Sequence, residues 1–140
     1  MNLLLSLLIM LSPQQKHVSW TFNALQVQPG IYTVHAQVFI DSGWILFSQH
    51  EKNEKYTATS FAFESNPLIK VMKIQEGGVI YKDSCYRAFT GYADFEMKIV
   101  VKNRGTTTLR GNVMYEPFDP SAPERSDRWI LEDPFEIKLD

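Results

Sequence analysis

The most regular pattern in the chain is an alternation of apolar and polar residues over positions 31–40. A period of two residues is typical of a strand with one buried face. A turn-forming stretch at 41–43 follows, and then an apolar run that opens with Trp44. The pattern predicts a pair of strands near the centre of an all-β domain, with Trp44 in the core. The predicted inward residues are Tyr32, Val34, Ala36, Val38 and Ile40.

The same alternation recurs along the chain and predicts further strands. The clearest stretches are 18–24, 58–64, 92–103, 107–116 and 135–139. Two shorter candidate strands, 68–75 and 79–81, are separated by a predicted turn at Gly77-Gly78. The turn-forming residues 103–105 predict a hairpin between the strands 92–103 and 107–116. Residues 117–127 hold three prolines and are predicted to be a loop. Roughly seven to nine short strands without a helical period predict an antiparallel β-sandwich.

Composition narrows the function classes. The 140 residues suffice for one domain, and 44% are hydrophobic, which supports a real core. The net charge is −2 with both signs well mixed, so no nucleic-acid partner is expected. Ser48 and Ser60 lack a GxSxG context, and Gly77-Gly78 lacks a phosphate-loop pattern. We therefore expect neither catalytic residues nor a cofactor.

The first residues form a short apolar run, 3–11, interrupted only by Ser6. The run is too short to span a bilayer as a helix, but its length suits the apolar core of a secretory signal. Residues 1–16 are therefore predicted to be a signal peptide or a disordered N-terminus, and 17–140 the domain. An ordinary N-terminal helix and a misassigned start codon are the alternatives. An export signal would place the domain in the periplasm or otherwise outside the cytosol.

Few residues offer metal or thiol chemistry. The histidines His17, His35 and His50 are scattered without ligand spacing, so no metal site is expected. Cys85 is the only cysteine and cannot form an intrachain disulfide. Its simplest interpretation is a small, partly buried core residue. The cationic neighbours Lys82 and Arg87 leave a reactive thiol as the alternative.

Several motifs in order resemble the N-terminal periplasmic domain of DsbD, the thiol:disulfide interchange protein, in the shorter form common in Bacteroidetes. They are VSWTF at 18–22, SGWILFSQ at 42–49, TSFAFE at 59–64, KDSCYRAF at 82–89, FEMKIVVKN at 95–103, TTLRGNVMYE at 107–116 and FEIKL at 135–139. The resemblance covers about 17–140. It implies an immunoglobulin-like antiparallel β-sandwich, which agrees with the strand pattern.

The chain departs from this family where the family carries its chemistry. The family has a C-x5-C motif after the strand that corresponds to 111–116, and its two cysteines exchange reducing equivalents with periplasmic partners. Here Phe118 stands near the place of the first cysteine, and the second has no counterpart. Cys85 maps onto neither. Because dithiol exchange requires two sulfurs, the resemblance does not carry that activity to this chain.

These observations predict an exported, non-enzymatic binding or accessory module whose partner is another periplasmic or membrane-anchored protein. The predicted binding loop is 115–129, with Tyr115, Phe118, Asp119 and Trp129 as its candidate residues. The competing interpretation is that these aromatic side chains fold back and cap the edge of the sandwich. A second hypothesis is a thiol–disulfide pathway component that uses Cys85 as a single thiol. A third is a structural domain that dimerises through an edge strand.

Overall fold

The structure is a computed structural model that describes residues 17–102, 105–122 and 129–140. The predicted signal peptide, the residues 103–104 of the predicted hairpin turn, and 123–128 of the predicted loop lie outside these ranges. The described residues form nine strands: β1 (Val18–Gln28), β2 (Ile31–Ile40), β3 (Ile45–Phe47), β4 (Ser60–Phe63), β5 (Ile69–Ile80), β6 (Ala88–Val101), β7 (Thr107–Tyr115), β8 (Pro117–Phe118) and β9 (Leu131–Leu139). They include no helix that is long and apolar enough to cross a bilayer.

The strands form two antiparallel sheets. In the large sheet β1 pairs with β2, β2 and β3 both pair with one edge of β6, β8 pairs with β3, and β5 pairs with the opposite edge of β6. The small sheet has the order β4-β7-β9. Every strand pairing within the two sheets is antiparallel. The antiparallel β-sandwich predicted from the alternation is therefore confirmed.

The predicted pairing of the first two central strands is wrong. Both β2 and β3 pair with β6, and they lie end to end along the same flank of it. Phe39 is opposite Tyr92, and Ile45 is opposite Thr90, only two residues further back along β6. The turn at 41–43 moves the chain out of the sheet and returns it to the same strand. Gly43 adopts a φ of 85°, which a glycine reaches without strain.

The core lies between the two sheets and follows the predicted alternation. Val34, Ala36 and Val38 on β2 are completely buried, as are Phe95 and Met97 on β6. The small sheet contributes inward residues from β7 and β9, namely Leu109, Val113, Tyr115, Phe135, Ile137 and Leu139. Each large side chain removed from water in this way stabilises the fold by about 1.5–3 kcal/mol.

Gly77 and Gly78 do not form the predicted turn, because β5 runs through them without a break. Gly78 has a φ of 142°, and a Cβ atom there would lie 2.7 Å from Ala93 Cα and against the carbonyl oxygen of Tyr92. The pairing of β5 with β6 shifts register between Gly78 and Ile80. The glycine therefore permits a close strand approach at a bulge.

The predicted hairpin between β6 and β7 is also wrong. β6 pairs with β2, β3 and β5, whereas β7 pairs with β4 and β9 in the small sheet. The connection therefore crosses from one sheet to the other. Crossings of this kind are how the two layers of a sandwich are joined.

Two proline-containing segments are strands, contrary to the sequence prediction. Pro117–Phe118 forms β8 and pairs with β3. Pro134 lies within β9, which begins at Leu131, before the predicted strand 135–139. β9 is at the edge of the small sheet, where a residue without an amide hydrogen is tolerated.

Candidate binding site

A second group of apolar side chains covers the outer face of the large sheet where β3, β8 and the beginning of β6 meet. Leu46 points into the main core, while Ile45 and Phe47 point to the opposite face together with Ala88. β3 is therefore buried on both faces. We call the ring side chains of this group the aromatic cluster, and its members are Phe47, Tyr56, Tyr81, Tyr86 and Phe118.

The rings of the aromatic cluster contact one another closely. The centroids of Phe47 and Tyr56 are 4.8 Å apart in a stacked arrangement, and Tyr56 meets Phe118 edge-on at 5.2 Å. Phe118 also lies 5.3 Å from Phe47 and 5.5 Å from Tyr86. Such spacings are typical of attractive aromatic pairs. All members except Phe47 keep part of their surface exposed, so the cluster offers rigid aromatic area to solvent.

Polar contacts fix the loop that carries Tyr56. The Thr59 hydroxyl donates to the Phe47 carbonyl at 2.6 Å, and the Thr57 amide donates to the buried Glu116 carboxylate at 2.9 Å. The burial of Glu116 is explained by its role as an acceptor for this loop. These bonds place Tyr56 against Phe118.

The other end of that loop is tied to β5 through Glu76. The Ser48 hydroxyl donates to one oxygen of the Glu76 carboxylate, and the Gln49 amide donates to the other at 2.9 Å. The Gln49 side chain also donates to the Ile74 carbonyl at 3.1 Å. The carboxylate therefore holds the beginning of the loop in place beside the aromatic cluster.

Tyr86 has a strongly perturbed hydroxyl. Burial is the main cause, and a hydrogen bond with Tyr56 and electrostatic interactions with neighbouring groups act in the same direction. Together they raise the pKa of Tyr86 to about 12. The shift delays ionisation of the Tyr86 hydroxyl to strongly alkaline pH.

Cys85 lies in the turn beside Tyr86 and is exposed, with a free thiol. The expectation of a partly buried core residue is wrong. The turn is closed by Asp83, whose carboxylate accepts from the Cys85 amide at 2.8 Å and whose carbonyl accepts from the Tyr86 amide at 3.2 Å. Because the turn projects from the sheet before β6 begins, the thiol faces solvent.

An open cleft of about 360 Å³ adjoins the aromatic cluster. Tyr81, Tyr86 and Phe89 line its apolar side, and Glu76 and Arg87 contribute charge. A concave surface with aromatic walls and a few polar groups is a common form of recognition site. The cleft and the cluster together make a continuous candidate surface.

The structure separates the four residues that were predicted to share one binding loop. Tyr115 is completely buried, and its hydroxyl donates to Asp133 at 2.7 Å. Burial and the bond to Asp133 raise the pKa of Tyr115, so it remains a protonated donor inside the core. Its ring lies 5.5 Å from that of Trp20, also within the core. Tyr115 therefore presents no side-chain surface to a partner.

Phe118 belongs to the aromatic cluster, but Asp119 and Trp129, which were predicted to share its binding loop, do not. Asp119 is half-buried and accepts from the amide and hydroxyl of Ser121 at 3.0 and 2.6 Å, which shapes the turn after β8. Trp129 is 38% exposed and lies 6.3 Å from the ring of His17, which in turn stacks on Trp44 at 3.8 Å. Trp129 thus stands with a different group of rings.

Sequence reasoning missed most of the aromatic cluster. Tyr56 follows a polar stretch, and Tyr81 and Tyr86 flank an irregular one, so alternation gives no signal for them. One signal was present in the run 44–47, which is apolar at every position. A strand with apolar residues on both faces is expected to be covered on both.

Comparison with solved structures identifies the fold class as an immunoglobulin-like β-sandwich. The GAE domain of GGA2p from Saccharomyces cerevisiae superposes with a TM-score of 0.53 at 10% identity, over 91% of this chain and 93% of that one. The GAE domain of yeast GGA1 gives a TM-score of 0.52 at 8% identity, over 89% and 95%. At such low identity the likeness shows the fold alone.

No family model matches the chain. No curated protein matches it. The DsbD-like resemblance therefore stays a prediction from the motifs.

Proposed function

We propose that this chain is an exported, non-enzymatic binding module that docks another protein of the cell envelope on the aromatic cluster. The observation that carries the proposal is the group of partly exposed rings around Phe118, held on a rigid sheet and bordered by a cleft. Aromatic side chains dominate binding energy at protein interfaces because they bury much area at little entropic cost.

The proposal includes a relation to the N-terminal domain of DsbD. The ordered motifs support that relation, and the apolar run 3–11 supports export to the periplasm. Phe118 stands near the position of the family's first cysteine, so the same end of the sandwich would contact a partner without exchanging electrons. Recognition would persist there while the thiol chemistry is lost.

Site-specific photo-crosslinking tests the docking surface. We would place p-benzoylphenylalanine at position 118 or 86, where it keeps an aromatic ring, and irradiate the full chain in envelope extract of the source organism. The matched control is position 25, because Leu25 is 66% exposed on β1. Leu25 is opposite Thr33 on β2, and Thr33 is opposite Lys98 on β6. Lys98 lies ten residues along β6 from Ala88, which is roughly 33 Å.

The proposal expects one protein to be crosslinked from positions 118 and 86 and not from position 25. A third probe at position 129 separates the two groups of rings, since Trp129 lies with His17 rather than with Phe118. Equal crosslinking from position 25, or crosslinking from 129 alone, would contradict the assignment to the aromatic cluster.

The exposure of Cys85 favours a second candidate function, a single-thiol component of a thiol–disulfide pathway. An exposed thiol can attack a partner disulfide and form a mixed disulfide, and the partner's second sulfur leaves as a thiolate. Trapping with a disulfide-bonded thioredoxin-like protein tests it. A Cys85-dependent adduct that Cys85→Ser abolishes supports the candidate, and no adduct after prolonged incubation rules it out.

A further inference from the structure

Three metal-ligating side chains meet on the outer face of the large sheet. His35 on β2 is directly opposite Glu96 on β6, and Asp94 lies two residues earlier on the same face of β6. One ligand atom from each of the three lies within 4.8 Å of the others. The residues that alternate with them, such as Ala36 and Phe95, are completely buried. The three donors therefore project from a rigid part of the fold.

Two of the ligand atoms lie close to the separation that a bound ion requires. His35 Nδ1 lies 3.0 Å from Asp94 Oδ2 and 3.2 Å from Oδ1. Two ligands of one tetrahedral zinc ion, with bonds of about 2.0–2.1 Å, lie about 3.3 Å apart. The ion would take the place of the proton that now joins the imidazole to the carboxylate. Glu96 is exposed, so its side chain can turn toward the ion as the third ligand.

The ligand atoms of the three side chains favour some metal ions over others. One imidazole nitrogen and two carboxylates suit zinc and similar transition ions, whereas calcium takes about 6–8 oxygen ligands. The side chains of His35 and Asp94 are only 31% and 24% exposed, which screens them partly from water. Within the described part of the chain, the Glu96 carboxylate forms no hydrogen bond or ion pair.

We propose that His35, Asp94 and Glu96 form a zinc site that clips β2 to β6. The site shares the outer face of the large sheet with the aromatic cluster. Asp94 is six residues along β6 from Ala88, which is roughly 20 Å along the strand. The zinc site is therefore independent of the proposed docking surface and can be tested apart from it.

Isothermal titration of the untagged, chelator-treated full chain with zinc chloride tests the site. We expect one zinc ion per chain with a micromolar dissociation constant. His35→Gln and Glu96→Gln should each weaken binding at least about tenfold, because even outer partners of metal ligands change affinity about 10–100-fold. Glu96→Gln changes an exposed side chain, so it remains informative if His35→Gln fails to fold.

Two control variants address two other metal-ligating side chains of the chain. His17 Nδ1 lies 3.5 Å from Asp41 Oδ2, and Cys85 is an exposed thiol. His17→Gln and Cys85→Ser should bind zinc like the wild type. Absence of binding at submillimolar zinc would overturn the proposal. So would unchanged binding in Glu96→Gln, or a loss confined to His17→Gln or Cys85→Ser.

Discussion

The hydroxyl of Tyr115 donates a hydrogen bond to Asp133 Oδ2 at 2.7 Å and ties β7 to β9 inside the sandwich. Asp133 is opposite Val113, so its side chain lies on the same face of the small sheet as the Tyr115 ring. The ring is completely buried. A bond to a carboxylate is stronger than one between neutral groups.

Removal of that hydroxyl should destabilise the fold. We expect Tyr115→Phe to lower the free energy of unfolding by about 1–3 kcal/mol, because it removes a donor to a charged group while the ring stays in place. Urea denaturation measures the change. Tyr81→Phe is the matched control, since Tyr81 is half-buried in the aromatic cluster, and it should cost clearly less. Equal effects of the two substitutions would contradict a specific role for the bond.

The two adjacent glycines of β5 should respond differently to alanine. At Gly78 a Cβ atom meets the backbone of Tyr92 and Ala93, and the φ of 142° strains any other residue. We expect Gly78→Ala to cost about 2 kcal/mol or more. A Cβ atom at Gly77 meets nothing within 4 Å, so Gly77→Ala should stay within about 0.5 kcal/mol of the wild type. Thermal unfolding of both variants checks this, and similar midpoints would argue against the close strand approach.

Alternation predicted the core well because every inward residue of β2 and β6 is apolar, and one face of each strand is in the interior. It failed at Gly77-Gly78, where the same residues suit a turn or a close approach. The backbone of β6 at Tyr92 and Ala93 decides between these two, and the alternation within β5 carries no information about it. The pairing of β2 and β3 failed for a similar reason, since both segments complete one partner strand.

The sites were harder to predict than the fold. Phe47, Tyr56, Tyr86 and Phe118 come from four separate segments, and only tertiary structure brings them together. His35 and Asp94 are 59 residues apart and meet through strand register alone. By contrast, Phe118 was identified from sequence because it stands where a resembling family has a functional residue. Its proposed neighbours Tyr115 and Trp129 followed from proximity in sequence, which the fold does not preserve in space.

Phe118 and Trp129 should differ in their contribution to stability. Phe118 contacts three other rings of the aromatic cluster and pairs through its backbone with β3. We expect Phe118→Ala to lower the free energy of unfolding by about 2–3 kcal/mol, below the range for a fully buried phenylalanine because the ring is partly exposed. Trp129→Ala should cost less than Phe118→Ala, since the Trp129 side chain is 38% exposed and the ring of His17 lies 6.3 Å from it. Chemical denaturation compares them, and the opposite order would contradict this packing.

Tyr86 makes the free energy of unfolding fall at alkaline pH. In the unfolded chain its hydroxyl ionises near the usual pKa of about 10, whereas burial and its neighbours raise the pKa of Tyr86 to about 12 in the folded protein. Between these values the unfolded state has released a proton that the folded state still holds. Rising pH therefore favours unfolding in this interval. The stability contributed by the group is fully present below about pH 10 and is lost as the pH rises through about 12.

Tyr86→Phe should remove this alkaline contribution. We expect the free energy of unfolding to fall less steeply between about pH 10 and 12 in the variant than in the wild type, because the variant has no hydroxyl to ionise at this position. Urea denaturation at closely spaced pH values measures the difference, and tyrosinate absorbance of the folded protein should lose its step near pH 12. Circular dichroism at each pH confirms that the folded baseline is retained. An identical pH dependence in both proteins would show that the Tyr86 hydroxyl ionises in the fold as it does in the unfolded chain.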